Sequence, residues 1–224
     1  MRNYKYYSVI TGLFTACLLI SNTLDTKIFM FYSLALPAGI ILFPLAYLFG
    51  DILTEVYGYA NSRKVIWTGF VSLILMILFY ELARRLSPAD FWPNQTSFDA
   101  IFSHIPRIVL ASISAYFIGE FCNSYVVAKL KIKQKGSKMW LRFVGSTLIG
   151  QAVDTTVFVL IAFSSSMDAP AMLRTIISAW IFKVLWEIVA LPITIPVVNW
   201  LKKVENEDYF DKNTDFNPFK LSDR

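Results

Sequence analysis

Charged residues are scarce in this sequence, and so are the side chains that most often carry enzyme chemistry. Only 17% of the residues are charged, against about 25% in soluble domains. His104 is the single histidine, and no HExxH, GxSxG or phosphate-binding Walker motif is present. The two cysteines, Cys17 and Cys122, lie in apolar segments and are too few for a structural zinc site. We therefore expect no enzyme, no cofactor and no metal.

Hydrophobic residues, in contrast, are abundant and make up 56% of the chain. They form runs of the length that crosses about 30 Å of hydrocarbon. The pattern predicts an all-α integral membrane protein, with a six-helix transmembrane domain over residues 1–200 and a polar cytoplasmic tail over 201–224. The six candidate spans are 6–23, 30–50, 64–82, 107–128, 140–163 and 172–200.

The basic residues predict the orientation of the chain in the lipid bilayer. If the N-terminus is cytoplasmic, 15 of the 21 Lys and Arg residues fall on the cytoplasmic side. The positive-inside rule then places both termini in the cytoplasm and the 83–106 connection outside. This distribution also explains the basic balance of the chain without a nucleic-acid partner, while a homo-oligomer is left open.

The last three spans carry polar and aromatic residues near mid-depth, where a charge costs about 2.5–3.5 kcal/mol. Within each span their spacing fits one helical face. The candidate substrate-binding residues are Tyr116, Glu120, Asn123, Gln151, Asp154, Phe158, Trp180, Lys183 and Glu187.

A buried salt bridge would be the simplest reason for these charges. Lys183 could neutralise Glu187 one turn away, or Asp154 across helices. One lysine cannot neutralise three acids, however, so the surplus indicates a polar cavity for a ligand, a proton or a cation. Because Glu187 is nearest to Lys183 in sequence, we expect Asp154 to be the free acceptor.

In the stretch "FPLAYLFGDILTEVYG" an apolar segment ends with two carboxylates, Asp51 and Glu55, on one helical face. Arg63 follows across a short turn. The three residues are interpreted as a structural clamp, in which Arg63 pairs with one carboxylate, or as a cytoplasmic gate or proton site.

Several of these stretches together resemble a known family. "FPLAYLFGDILTEVYG", "RKVIW", "GEFCNSYVVAKLK", "MWLRFVGST", "GQAVDTTVF" and "FKVLWE" are similar to the bacterial queuosine precursor transporters, also called the VUT family. The resemblance covers residues 22–205. It implies a six-helix fold like the substrate-binding components of energy-coupling-factor vitamin transporters, a multi-pass protein of the bacterial inner membrane, and import of 7-deazaguanine bases used in tRNA modification.

The candidate residues suit such a cargo. A carboxylate accepts from the ring N–H and amine of a guanine-like edge, and an aromatic face stacks on the flat ring. We expect secondary transport through a polar cavity formed by spans four to six. The alternatives are a substrate-binding subunit of a multi-component transporter and a membrane scaffold protein without cargo.

Overall fold

Long helices dominate the structure, a computed structural model that describes residues 4–31, 34–103, 105–164 and 167–220. Five helices of the described chain are long and apolar enough to cross a membrane: α1, α3, α5, α6 and α7. The prediction of an all-α membrane protein is therefore confirmed. The helices of these ranges are α1 (Tyr7–Leu24), α2 (Phe43–Tyr57), α3 (Tyr59–Arg85), α4 (Gln95–Phe102), α5 (Ile105–Lys133), α6 (Met139–Phe163) and α7 (Ala169–Glu205).

The second predicted span, 30–50, is not one continuous helix. Strand β1 (Ile28–Phe31) pairs antiparallel with β2 (Leu34–Pro37), a 3-10 turn follows at Ala38–Ile41, and α2 begins only at Phe43. The prolines explain the break, since Pro37 cannot continue a helix and Pro44 favours a first helical turn. With 15 residues, α2 rises about 22 Å and is shorter than the hydrocarbon layer is thick.

Helix α2 lies at the centre of the molecule and packs against α1, α3, α5 and α7. Every residue of α2 from Gly50 to Tyr57 is buried, including the polar residues Asp51, Thr54 and Glu55. Every polar group on α2 must therefore find its partner inside the protein or remain uncompensated.

Helices α5 and α6 approach each other closely because glycines lie at their contact. A Cβ atom added to Gly119 would lie 2.6 Å from Cβ of Asp154, and one added to Gly150 would lie 3.0 Å from Cβ of Asn123. Small residues at a helix contact let the two backbones approach closely, and these two glycines do so here. Because the two glycines have no side chain, Asp154 can pack directly against Gly119, and Asn123 against Gly150.

The two ends of the chain meet at one end of the bundle. Helix α7 passes Pro192 and Pro196 and continues to Glu205, so residues 201–205 of the expected tail are helical. The Glu205 carboxylate accepts the backbone N–H groups of Lys5 and Tyr6 at 2.8 and 2.6 Å, just before α1 begins. This contact also satisfies N–H groups that a helix start leaves without partners.

Residues 206–220, which we call the C-terminal strap, pack back onto the helices. Asp211 is buried and accepts the backbone N–H of Tyr59 at the first residue of α3. Further along, Nη1 of Arg63 donates to the carbonyl oxygen of Asp215 at 2.8 Å, and Nε1 of Trp67 donates to that of Pro218 at 2.8 Å. The strap therefore covers the end of the bundle at which the described chain begins and α7 ends.

Candidate functional site

A cavity opens at the opposite end of the bundle, about 27 Å along α1 from its first turn. The space inside it that admits the centre of a water-sized sphere is about 40 Å³, room for only a few water molecules, so a larger ligand requires the surrounding helices to move apart. Its wall comes from the end of α1, from β2 and the 3-10 turn, and from α5, α6 and α7. The lining residues are Asp25, Pro37, Ile40, Ser112, Asp154, Thr155, Phe158, Val159, Phe163, Thr175, Ala179 and Lys183.

An ion pair crosses the cavity wall between α6 and α7. Nζ of Lys183 lies 2.7 Å from Oδ2 of Asp154 and donates to Oγ1 of Thr155 at 3.1 Å. The same Nζ lies 5.4 Å from the centre of the Tyr47 ring, within the range of a cation–π contact. The lysine therefore reaches into the cavity from α7 and is held there by α6.

The expectation that Lys183 pairs with Glu187 is wrong, and so is the expectation of a free Asp154. Side chains on a helix lean toward its N-terminus, so Lys183 extends away from Glu187. A lysine one turn before a glutamate is also the poorer order for a helical ion pair. Glu187 is buried one turn deeper, and its Oε1 has no hydrogen-bond partner in the described part of the chain.

The predicted residues of α5 lie deeper than the cavity. Ser112 lines the wall, and Glu120, two turns further along α5, lies about 12 Å below it. The Glu120 carboxylate packs against Gly50 of α2, while Nδ2 of Asn123 donates to Oδ1 of Asp51 at 2.6 Å. Tyr116, between these levels, is fully buried. Span four therefore contributes to a polar layer beneath the cavity.

The other predicted residues divide between the cavity and its surroundings. Phe158 lines the wall, as expected of a stacking surface. Gln151 is buried one turn below Asp154. Trp180 turns away and donates from Nε1 to the carbonyl oxygen of Leu148 at 3.1 Å, so it braces α7 against α6.

Asp25 is a cavity residue that was not predicted. It follows the last residue of α1, is 4% exposed, and lies against the backbone of Gly39. A sequence signal was available: an acid at the C-terminal end of an apolar helix is disfavoured by the helix dipole and needs a separate reason.

Beneath the polar layer, the end of the bundle with both termini holds an ion network. Nε and Nη2 of Arg142 each lie 2.7 Å from an oxygen of Glu55. Lys131 approaches the same carboxylate at 3.6 Å, and Lys202 also binds it. Asp208 of the C-terminal strap joins Lys131 at 2.6 Å and Lys202 at 2.8 Å. Burial raises the pKa of Asp208, but hydrogen bonds from the two lysines bring it below its usual range.

The three residues interpreted as a clamp or gate are therefore in separate contacts. Glu55 belongs to the ion network, Asp51 to the hydrogen bond with Asn123, and Arg63 to the carbonyl groups of the strap. The arrangement along the bundle is a cavity at one end, uncompensated acids in the middle, and a closed ionic layer at the other end.

Helices long and apolar enough to cross a membrane surround a cavity with an ion pair at its wall, an arrangement typical of membrane transporters. A model of the family described as "Putative vitamin uptake transporter" matches residues 37–197, and the chain belongs to this family. It is 29% identical over 182 residues to the "Probable queuosine precursor transporter" of Bacillus subtilis (strain 168), covering 81% of this chain and 78% of the relative.

A second relative is the "Queuosine precursor transporter" of Escherichia coli (strain K12). It is 28% identical over 169 residues, which cover 74% of each chain. The resemblance found in the sequence is therefore confirmed. No solved structure matches the chain, so the expected likeness to the energy-coupling-factor components stays a prediction.

Proposed function

We propose that this protein imports 7-deazaguanine precursors of queuosine by secondary transport, and that the cavity next to the Asp154–Lys183 pair is the binding site. The observation that carries the proposal is the pair itself. It places a strong donor and a strong acceptor side by side at the cavity wall.

The chemistry of a guanine-like base suits this wall. Lys183 is a donor for the ring carbonyl oxygen, and Asp154 is an acceptor for the neighbouring ring N–H. Phe158 offers a flat face to the ring, and base–aromatic stacking contributes about 1–3 kcal/mol where it has been measured. The relatives named for queuosine precursors support the choice of this base over other small polar solutes.

The buried acids beneath the cavity support coupling to protons. Asp51, Glu120 and Glu187 are each at most 3% exposed. Within the described residues, none of them has a basic partner within 4 Å. Since an uncompensated charge at this depth is costly, such carboxylates are suited to take up and release protons as the protein changes conformation.

The orientation follows from the two ends of the bundle. The end with both termini carries the Glu55 ion network and most basic residues, so we place it in the cytoplasm of a bacterial inner membrane. The cavity then faces the outside, and the ion network together with the C-terminal strap closes the route inward. This is the arrangement of an importer in its outward-facing state.

Uptake in a bacterial host that cannot make queuosine tests the proposal. With this chain as the only transporter, labelled 7-deazaguanine base should accumulate and queuosine should appear in tRNA. An uncoupler of the proton gradient should abolish accumulation. Uptake only after co-expression of an ATPase module would favour a substrate-binding subunit, and no uptake with normal protein yield would favour a scaffold.

A further inference from the structure

The charges around the cavity do not cancel. Among the lining residues, only Asp25, Asp154 and Lys183 carry a charge at neutral pH when each is in its usual state. Lys183 and Asp154 neutralise each other at 2.7 Å. One acid, Asp25, is left over; burial raises its pKa to about 7, and whenever it is ionised the cavity is short of one positive charge.

In the part of the chain that the structure describes, no lysine or arginine forms an ion pair with Asp25. Neither of its oxygens makes a hydrogen bond of normal geometry there, and the adjacent Gly39 offers only backbone dipoles. Arg107 lines a second opening together with Asp25, but its Nε and Nη2 donate to the carbonyl oxygen of Ile161 and it forms no ion pair with Asp25. A carboxylate that is 96% removed from solvent and has no cation within ion-pair distance in the described chain would be stabilised by a cationic ligand.

Asp25 would contact a different edge of a bound base from the edge that the ion pair contacts. It enters the cavity from α1, while Asp154 and Lys183 enter from α6 and α7. A base held by the ion pair and Phe158 would present a different edge toward Asp25. In a 7-deazaguanine the substituent on carbon 7 lies on the opposite side of the ring system from the exocyclic amine.

We propose that the cavity selects a 7-deazaguanine that carries a protonated amine on its 7-substituent, with Asp25 as the acceptor of that ammonium group. This rests on the proposed function and adds a choice among precursors. The 7-aminomethyl base is a cation at neutral pH and restores the charge balance of the cavity. The 7-cyano base is neutral and leaves Asp25 uncompensated.

Binding to the purified full-length protein in nanodiscs tests the proposal with three bases: 7-aminomethyl-, 7-cyano- and 7-hydroxymethyl-7-deazaguanine. The hydroxymethyl base has nearly the size of the aminomethyl base but no charge. The wild type should bind the aminomethyl base about tenfold or more tightly than either neutral base, because charge-assisted hydrogen bonds are the strong ones. Asp25→Asn should weaken binding of the aminomethyl base about tenfold and leave the neutral bases unchanged.

Asp90→Asn is the matched control, because Asp90 is an exposed acid outside the cavity. It should leave all three affinities unchanged. Equal affinity of the wild type for charged and neutral bases would overturn the proposal, and so would an equal loss of all three in Asp25→Asn. If that variant does not fold, the wild-type series alone decides. Failure of every base to bind the wild type would instead contradict the proposed function.

Discussion

Asp154 on α6 and Lys183 on α7 are joined by a contact of 2.7 Å between Oδ2 and Nζ, although both lie in segments long and apolar enough to cross a membrane. The pair ties the last two helices together at the wall of the cavity. Removing one member of a nearly buried ion pair is generally far more destabilising than replacing both.

Asp154→Asn should therefore destabilise the protein by about 3–5 kcal/mol, since it breaks a nearly buried ion pair by removing one of its two charges. The double variant Asp154→Asn with Lys183→Met should recover most of that loss. Thermal unfolding of detergent-solubilised protein, followed by tryptophan fluorescence, measures both. A single variant as stable as the wild type would show that Lys183 has another partner available.

Gly119→Ala should disturb the contact between α5 and α6. The new Cβ would lie 2.6 Å from Cβ of Asp154, so the helices must separate, at a cost of about 1–3 kcal/mol. Gly145→Ala is the matched control, because its Cβ would meet only Leu130, at an ordinary 3.6 Å. The melting temperature should fall in the first variant and hold or rise in the second, and the reverse order would contradict the packing described.

Substitutions in the ion network should destabilise the protein in proportion to the burial of the acid that is replaced. Glu55 is fully buried and binds three cations, whereas Asp208 is 46% exposed and bridges two of them. Glu55→Gln should lower the free energy of unfolding by about 3–5 kcal/mol, because Arg142 is left buried without its carboxylate. Protein yield and melting temperature should fall accordingly. Asp208→Asn should cost much less. Comparable effects of the two variants would show that burial does not govern this network.

Orientation is open to a direct test by cysteine labelling. In a variant without Cys17 and Cys122, a cysteine at Phe91, which is 89% exposed, should react with a membrane-impermeant maleimide in intact cells. A cysteine at Lys135, between α5 and α6, should react only after permeabilisation. The opposite pattern would reverse the proposed direction of the cavity.

The sequence allowed the membrane class, the family and most of the long helices to be predicted, because runs of apolar residues and the polar stripes on them are local signals. The close approach at Gly119 and Gly150 follows from the absence of a side chain, since small residues let two helix backbones come close together. Phe158, Asp154 and Lys183, three of the predicted substrate-binding residues, line the cavity; Lys183 was assigned the wrong partner, and the binding role of all three stays a prediction.

What could not be predicted depends on contacts between distant segments. The place of Asp25 is set by β2 and the 3-10 turn, which the sequence pattern had assigned to a continuous helix. The partners of Glu55 come from α5, α6 and α7, so the nearby Arg63 was a reasonable but incorrect choice. The strap is polar and without periodicity, and only its packing on α3 reveals that Asp211 caps a helix.

Transport by purified protein in proteoliposomes tests the central claim most directly. Vesicles with an imposed proton gradient, acidic outside, should accumulate labelled 7-aminomethyl-7-deazaguanine through the wild type. The double variant Asp154→Asn with Lys183→Met, which keeps the charge balance of the helices, should be folded and inactive. Uptake by the double variant at the wild-type rate would contradict the account, because it would place the substrate away from the ion pair that defines the cavity.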